Sequence, residues 1–310
     1  MKYLSVCSGI EAATVAWHHM GWKPLAFSEI EKFPRKVLAH HYPDVPCHGD
    51  FTTLKNEQWI KDADVLVGGT PCQAFSVAGL RHSLSDDRGN LSLEFVRLAN
   101  AIDNLRVDRG RTIILWENVP GVLSVKDNAF GCFLAAIVGN DTTLIPTGGK
   151  WTNAGMAVGP QRFAAWRVLD AQYFGVPQRR RRLFVVASAR NGFSPAEVLF
   201  EHGCLQGDIA KSKDKEKAIA FHASQDPIFG SICPALGANM VAGVLVNNTV
   251  RKLTPREWER LQGFPDDYTL IDEKTADGPR YKALGNSMAV PVMRWIGERI
   301  ARELANGVLR

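Results

Sequence analysis

The residues Val65-Leu66-Val67-Gly68-Gly69-Thr70-Pro71-Cys72-Gln73 set the architecture of the whole chain. Three apolar residues in a row suit a short strand buried on both faces, as in a parallel sheet covered by helices. The run stops at a glycine pair, and Pro71 then stiffens the backbone just before a cysteine. A structural cysteine belongs inside an apolar run. This one follows a strand, at the carboxyl edge where open parallel sheets bind their ligands.

Comparable runs at 4–6, 25–27 and 113–116 alternate with amphipathic stretches at 12–19, 35–41 and 93–105. Strand and helix in alternation predict an α/β fold with a parallel sheet. Residues 183–187 read as a later strand. Over 189–248 the periodicity weakens, Gly and Pro are frequent, and Lys211, Lys213, Lys215 and Lys217 form a basic run. That part reads as a second, irregular lobe. Helical signals resume at Thr254, an N-cap followed by Pro255 at N1 and Glu257 at N3. A last helix is expected over 290–305.

A chain of 310 residues can bury a full core and divide into two lobes. Apolar residues at 45% and charged ones at 22% match a soluble globular protein. No apolar run approaches the ~20 residues that span a bilayer, and the first residues lack the order of a signal peptide. A cytoplasmic protein without a membrane partner is expected. The six cysteines are scattered with no C-x-x-C pair, against a zinc site or a disulfide framework, so no metal is expected. The net charge of +5 is compatible with nucleic acid without requiring it. Four consecutive arginines, Arg179, Arg180, Arg181 and Arg182, are more pointed, although such runs are commonly solvated surface.

The other strand ends carry polar groups too. The first runs into Cys7-Ser8-Gly9-Ile10-Glu11-Ala12, a tight turn into a helix. Glu29 follows the second strand, where a carboxylate can hold two ribose hydroxyls, and Asp50 would follow the third. A single glycine in a turn is commonly just a turn, but the three acceptors together make a nucleoside cofactor an equal reading. The strand at 113–116 leads into Glu117-Asn118-Val119-Pro120, so a thiol and a carboxyl point at the same rim from neighbouring strands. Taken alone, Glu117 reads more readily as a structural ion pair or a helix cap than as a catalytic group.

Pro71-Cys72-Gln73 and Glu117-Asn118-Val119 resemble two signature motifs of the cytosine-5 DNA methyltransferases. Others follow in that family's order: Asp87-Arg88-Gly89-Asn90-Leu91, Gln178 with the four arginines, Arg251-Lys252-Leu253-Thr254-Pro255-Arg256-Glu257 through Gln262-Gly263-Phe264-Pro265, and Gly285-Asn286-Ser287. The resemblance covers nearly the whole chain outside 189–250. It implies a Rossmann-like S-adenosylmethionine methyltransferase sheet over 1–188, completed by 286–310. A smaller, irregular target-recognition lobe and return hinge would occupy 189–285.

The resemblance also assigns roles. Cys72 would add to carbon 6 of a cytosine, and Glu117 would hold the base at N3. Arg180 and Arg182 match the two arginines of the family's Gln-x-Arg-x-Arg motif, with Arg182 the better candidate for gripping the base and the nucleophile's loop. Arg179 and Arg181 alternate with them and should face elsewhere. The target base must leave the stack, with Gln73, Ser76 and Arg88 contacting DNA and the 76–90 stretch closing over it. S-adenosylmethionine would lie against Cys7, Gly9, Glu29, Ile30, Asp50, Phe51, Leu91, Asn286 and Ser287. Two positions depart from the family's pattern: Cys7 replaces the usual aromatic and Glu11 the second glycine. Gln206, Asp208, His222, Gln225, Asp226 and Asn239 are available to read bases, and Lys211 to Lys217 to contact phosphates. The partner would be duplex DNA bound by a monomer, with a restriction endonuclease acting separately as a compatible companion. A relative acting on tRNA cytosine, and a catalytically silent DNA-binding regulator, are the alternative readings.

Overall fold

The computed structural model describes residues 1–71, 91–106, 110–201, 219–222, 242–246 and 249–307. Five parallel strands form one half of the main sheet: β1 (Lys2–Val6), β2 (Lys23–Ser28), β3 (Cys47–His48), β4 (Val65–Gly68) and β5 (Ile113–Asn118). Three more complete it: β6 (Ala154–Val158), β7 (Phe163–Asp170) and β8 (Arg181–Ser188). The order across the sheet is β3-β2-β1-β4-β5-β8-β7-β6. From β1 the chain steps outward to β3, then returns to place β4 on the other side of β1. That reversal opens a crevice at the carboxyl ends of β1 and β4, the usual ligand site of such sheets.

The parallel sheet expected from the first half of the chain is present there, but the strands that follow do not continue it. β8 runs antiparallel to both β5 and β7, and β6 runs antiparallel to β7. The connections explain the change. Residues 159–162 and 171–180 are too few for a crossover of a dozen or more residues, so the strands fold back as hairpins. Residues 183–187 do form a strand, but β6 and β7 were not foreseen.

The helices are α1 (Ala12–Trp17), α2 (Lys32–His41), α3 (Leu91–Leu105), α4 (Ala129–Val138), α5 (Pro195–Leu199), α6 (Pro255–Gln262), α7 (Asp277–Asn286) and α8 (Val290–Gly307). Strand alternation sorts the core into two faces. Tyr3, Val65, Val67, Ile113 and Leu115 pack with Trp17, Trp258, Met293 and Ile296. Leu4, Val6, Leu66, Ile114 and Trp116 pack with Phe95, Phe130 and Phe133 on the other side. Each fully buried side chain of this kind is worth roughly 1.5–3 kcal/mol. Both faces being covered is why these strands read as unbroken apolar runs. Ahead of β7, Arg162 is clamped by α3: its Nε and Nη2 donate to Asp103 Oδ2 at 3.1 and 2.7 Å, both side chains buried.

The first and last of these helices meet. Trp17 of α1 is fully buried, and its Nε1 donates to Met293 O of α8 at 2.8 Å. A Cβ at Gly297 would lie 2.3 Å from that nitrogen, so glycine is what lets α8 approach.

The segment expected to be irregular contains order. β9 (Ile219–His222), β10 (Ala242–Val246) and β11 (Thr249–Lys252) form an antiparallel sheet. α6 starts as the sequence indicates: Thr254 and Glu257 make a capping box with Pro255 at the first turn. Within 189–285, Phe193, Val198, Leu199, Leu253, Trp258, Phe264 and Leu284 share one apolar cluster with α1 and α8. Gln206, Asp208, Gln225, Asp226, Asn239, Lys211 to Lys217 and the side chain of His222 lie outside the described residues. No described helix is long and apolar enough to cross a membrane.

Candidate active site

The turn after β1 is built from left-handed residues. Cys7, Gly9 and Glu11 have φ of 49°, 56° and 63°. Only glycine adopts that region without steric cost, so Glu11 has a backbone shape that suits glycine. Its carboxylate turns inward, away from solvent. There it caps α1, accepting from Thr14 N at 3.1 Å, and it also accepts from the hydroxyls of Ser5 and Thr14. Burial raises the Glu11 carboxyl above the usual carboxylate range, partly countered by these donors. The sequence showed the departure but not this solution to it.

Glu29 closes the turn from the neighbouring strand. Its Oε2 accepts from Gly9 N at 2.7 Å and its Oε1 from Glu31 N at 2.8 Å. Each oxygen keeps a lone pair for a further donor, such as a ribose hydroxyl. Burial first, then the charges of Glu29 and Asp50, push the Cys7 thiol up to about 12. Asp50 caps the turn that begins at Phe51, and Phe51, Cys7 and Leu91 meet in one apolar cluster. Ile30 is 72% exposed, and a Cβ on Gly9 would meet nothing within 4 Å, so the turn opens onto free space. Cys7, Gly9, Glu117, Asn286 and Ser287 line a common cleft. A carboxylate for hydroxyls, an open glycine and an exposed apolar side chain form a set that fits an adenosine cofactor.

The end of β4 reaches the same cleft. A Cβ on Gly68 would sit 2.7 Å from Val6 Cγ2, so the glycine lets β4 pack tightly on β1. A Cβ on Gly69 would sit 3.0 Å from Glu117 Oε2 and 3.3 Å from Met288 Cε, so this glycine leaves room for the carboxylate. Thr70 is buried and held from three sides. Its Oγ1 accepts from Trp116 Nε1 at 2.9 Å and pairs with Ser92 Oγ at 2.7 Å, and its carbonyl accepts from Asn118 Nδ2 at 3.0 Å. The backbone leading through Pro71 is thereby tied to β5. Cys72, Gln73, Ser76, Arg88 and the 76–90 stretch lie outside the described residues.

Glu117, the last residue but one of β5, has its carboxylate in the cleft. Arg182 Nε lies 3.1 Å from Glu117 Oε1, both side chains largely buried. Burial raises the Glu117 carboxyl above the ordinary range, and Arg182 and then Arg180 pull it partly back. Arg180 has a different task in the fold. Its Nη2 donates to Gly285 O at 3.0 Å and Ser287 O at 2.6 Å, fastening the end of α7 to the start of β8. Burial and then Arg182 push its guanidinium down to about 9, still protonated at neutral pH. Arg179 and Arg181 are exposed, in line with the alternation. Thr70, Ser92 and Trp116 were not picked out from the sequence, and Asn118 was noticed only as part of a motif. A polar side chain at the end of an apolar run was the available signal.

Comparison with known proteins agrees with this geometry. The family model described as C-5 cytosine-specific DNA methylase matches residues 1–217 and 208–302. A protein of Escherichia phage P1, named DNA N-6-adenine-methyltransferase, is 39% identical over 97% of this chain; the chain spans only 61% of that relative's length. The Type II methyltransferase M.HpaII of Haemophilus parainfluenzae is 28% identical, over 98% of this chain and 90% of its own. Among solved structures, the Dnmt2 methyltransferase of S. pombe superposes with a TM-score of 0.67 at 18% identity, over 98% of this chain and 99% of its own. The Dnmt2 of Spodoptera frugiperda gives 0.63 at 17% identity, over 97% and 99%. These structures share the fold of the S-adenosylmethionine methyltransferases. The motifs, the sheet and the matched family model agree: this chain belongs to the C-5 cytosine-specific DNA methylase family.

Proposed function

We propose that this chain methylates carbon 5 of cytosine within a specific sequence of duplex DNA, by flipping the base and adding Cys72 to carbon 6. The observation that carries this reading is the position of the Glu117 carboxyl, buried in the cleft against Arg182 and beside the strand that leads to Pro71, where burial raises its hold on a proton. Carbon 5 of an aromatic cytosine is a poor nucleophile. Bond formation from the Cys72 sulfur to carbon 6, with a proton given to N3 by Glu117, moves electron density onto carbon 5. When bound, S-adenosylmethionine supplies the electrophilic methyl group. Solvent water then takes the carbon-5 proton, the electrons of that bond expel the Cys72 sulfur as thiolate, and N3 returns its proton to Glu117, which restores the ring and the enzyme. Acid assistance of this kind is worth about 10²–10⁴ in rate, and flipping costs a few kcal/mol.

In this reading Arg182 orients Glu117 and the base, and Arg180 positions Asn286 and Ser287 against the cofactor. Cys7, Gly9, Glu29, Ile30, Asp50, Phe51 and Leu91 complete the adenosine site. Gln73, Ser76 and Arg88 contact the DNA. The catalytic domain spans 1–188 and 286–310, with recognition assigned to 189–285. We place base readout between Glu201 and Leu253, because the flanking residues share the main core. The enzyme acts as a cytoplasmic monomer, and a restriction endonuclease would act separately on the same site.

The name of the phage relative raises a second reading, methylation of adenine N6. An exocyclic amine needs no thiol adduct, so that chemistry would leave the Cys72 and Glu117 positions without work. The shared region is also only part of that relative. One experiment separates the readings. DNA containing 5-fluorocytosine at the target should trap the wild type as a denaturation-stable adduct and should not trap Cys72→Ala. Nucleoside analysis of methylated duplex and of tRNA should show 5-methylcytosine in the duplex. N6-methyladenine instead, or adduct formation by Cys72→Ala, would overturn the reading.

A further inference from the structure

Tyr268 belongs to the stretch that returns from α6 toward α7, yet its hydroxyl reaches the turn after β1. It donates to Ile10 O at 2.9 Å, a buried bond between residues far apart in the chain. Its single proton is thereby used, so Tyr42 must be the donor in the 3.1 Å contact between the two phenols. His41, at the end of α2, stacks on the Tyr268 ring at 4.1 Å, and its Nε2 bonds to Tyr268 O at 2.7 Å. Three elements therefore converge on one tyrosine: the β1 turn, the end of α2 and the return stretch.

Ile10 sits between Gly9, whose N–H is held by Glu29, and Glu11, whose left-handed backbone is one that L side chains rarely adopt. A turn of this shape needs external support. The Glu11 carboxylate supplies it from below, and the Ile10 carbonyl is the group by which it is held from outside. We infer that Tyr268 is a positioning residue for the cofactor, its hydroxyl fixing the Ile10 carbonyl so that the strained turn stays open to S-adenosylmethionine. The inference rests on the cofactor reading given above.

Two single-atom deletions test this. Tyr268→Phe removes the hydroxyl that holds Ile10; Tyr42→Phe removes only the donor into Tyr268 and leaves the Ile10 bond. Binding of S-adenosylhomocysteine is measured by calorimetry, with the thermal midpoint and the exchange rate of the Gly9 amide alongside. Tyr268→Phe should weaken binding about 3- to 10-fold, the worth of one hydrogen bond, and speed Gly9 exchange. It should raise KM for S-adenosylmethionine with little change in kcat. Tyr42→Phe should leave affinity unchanged. The inference fails if Tyr268→Phe binds as the wild type does while only its midpoint falls, or if both variants weaken binding equally. A wild-type chain that binds no S-adenosylhomocysteine defeats the cofactor reading, and this inference with it.

Discussion

The two halves of the main sheet serve the cleft in opposite ways. In the parallel half, β1, β2, β4 and β5 all leave toward the rim, so each delivers a turn or a carboxylate from its carboxyl end. In the other half the direction reverses, and the pairing of Glu117 with Phe184 and of Asn118 with Leu183 sets the start of β8 beside the end of β5. Arg180 and Arg182 therefore arrive at the rim from the amino end of a strand. The acids come from strands that depart and the bases from one that arrives. An all-parallel sheet could not place Arg182 against Glu117 by strand pairing alone.

The largest expected effect tests the parallel half. Glu117→Gln should slow methyl transfer about 10²–10⁴-fold while leaving cofactor binding intact. Because burial raises the Glu117 carboxyl, the active, protonated form is present below its folded-state value and is lost as pH rises through it. Wild-type turnover should therefore fall on the alkaline side, and the variant should lack that limb. The same sign holds for stability: the raised value favours the fold at low pH, a contribution lost as pH rises through it. Normal turnover by Glu117→Gln would remove the carboxylate from the mechanism.

A smaller loss, about 10²-fold, is expected for Arg182→Ala, which takes a positioned donor out of a water-poor site. Without its ion partner the Glu117 carboxyl should rise further, moving the alkaline limb to higher pH. An unmoved limb would mean that the antiparallel half contributes no electrostatics to the acid. The smallest effect on turnover is expected for Arg162→Ala, in the same half but behind the sheet. Removing it strands a buried Asp103 and should cost about 3–5 kcal/mol of stability. Turnover per folded molecule, measured well below the thermal midpoint, should stay at the wild-type value. A fall in kcat there would blur the division between arginines that brace and arginines that act.

Much of the parallel half was legible because its strands are short apolar runs followed by polar turns. The capping box at Thr254 and the alternation of Arg179 to Arg182 were equally local and equally readable. What escaped depends on distance along the chain. β7 has no clean period because both of its faces are covered, and nothing local states that its connection to β8 folds back. Glu11 looked like a weakened cofactor turn, since its compensation lies with Ser5 and Thr14. Asn118 and Thr70 meet across 48 positions, and Tyr268 and Ile10 across 258. No periodicity encodes such pairs.

The contact between Trp17 and α8 bears on how the protein is born. Synthesis runs from the amino end, so the β1 turn and α1 leave the ribosome long before Met293 and Gly297 exist. Until then Trp17 has no carbonyl for its indole and no glycine to lie against. The nascent chain can assemble its early strands, but the helix that follows the β1 turn waits for its buttress. Such far-separated contacts form late and slowly. A ribosome stalled before α8 would thus display a chain with every early motif in place and an unfinished β1 turn.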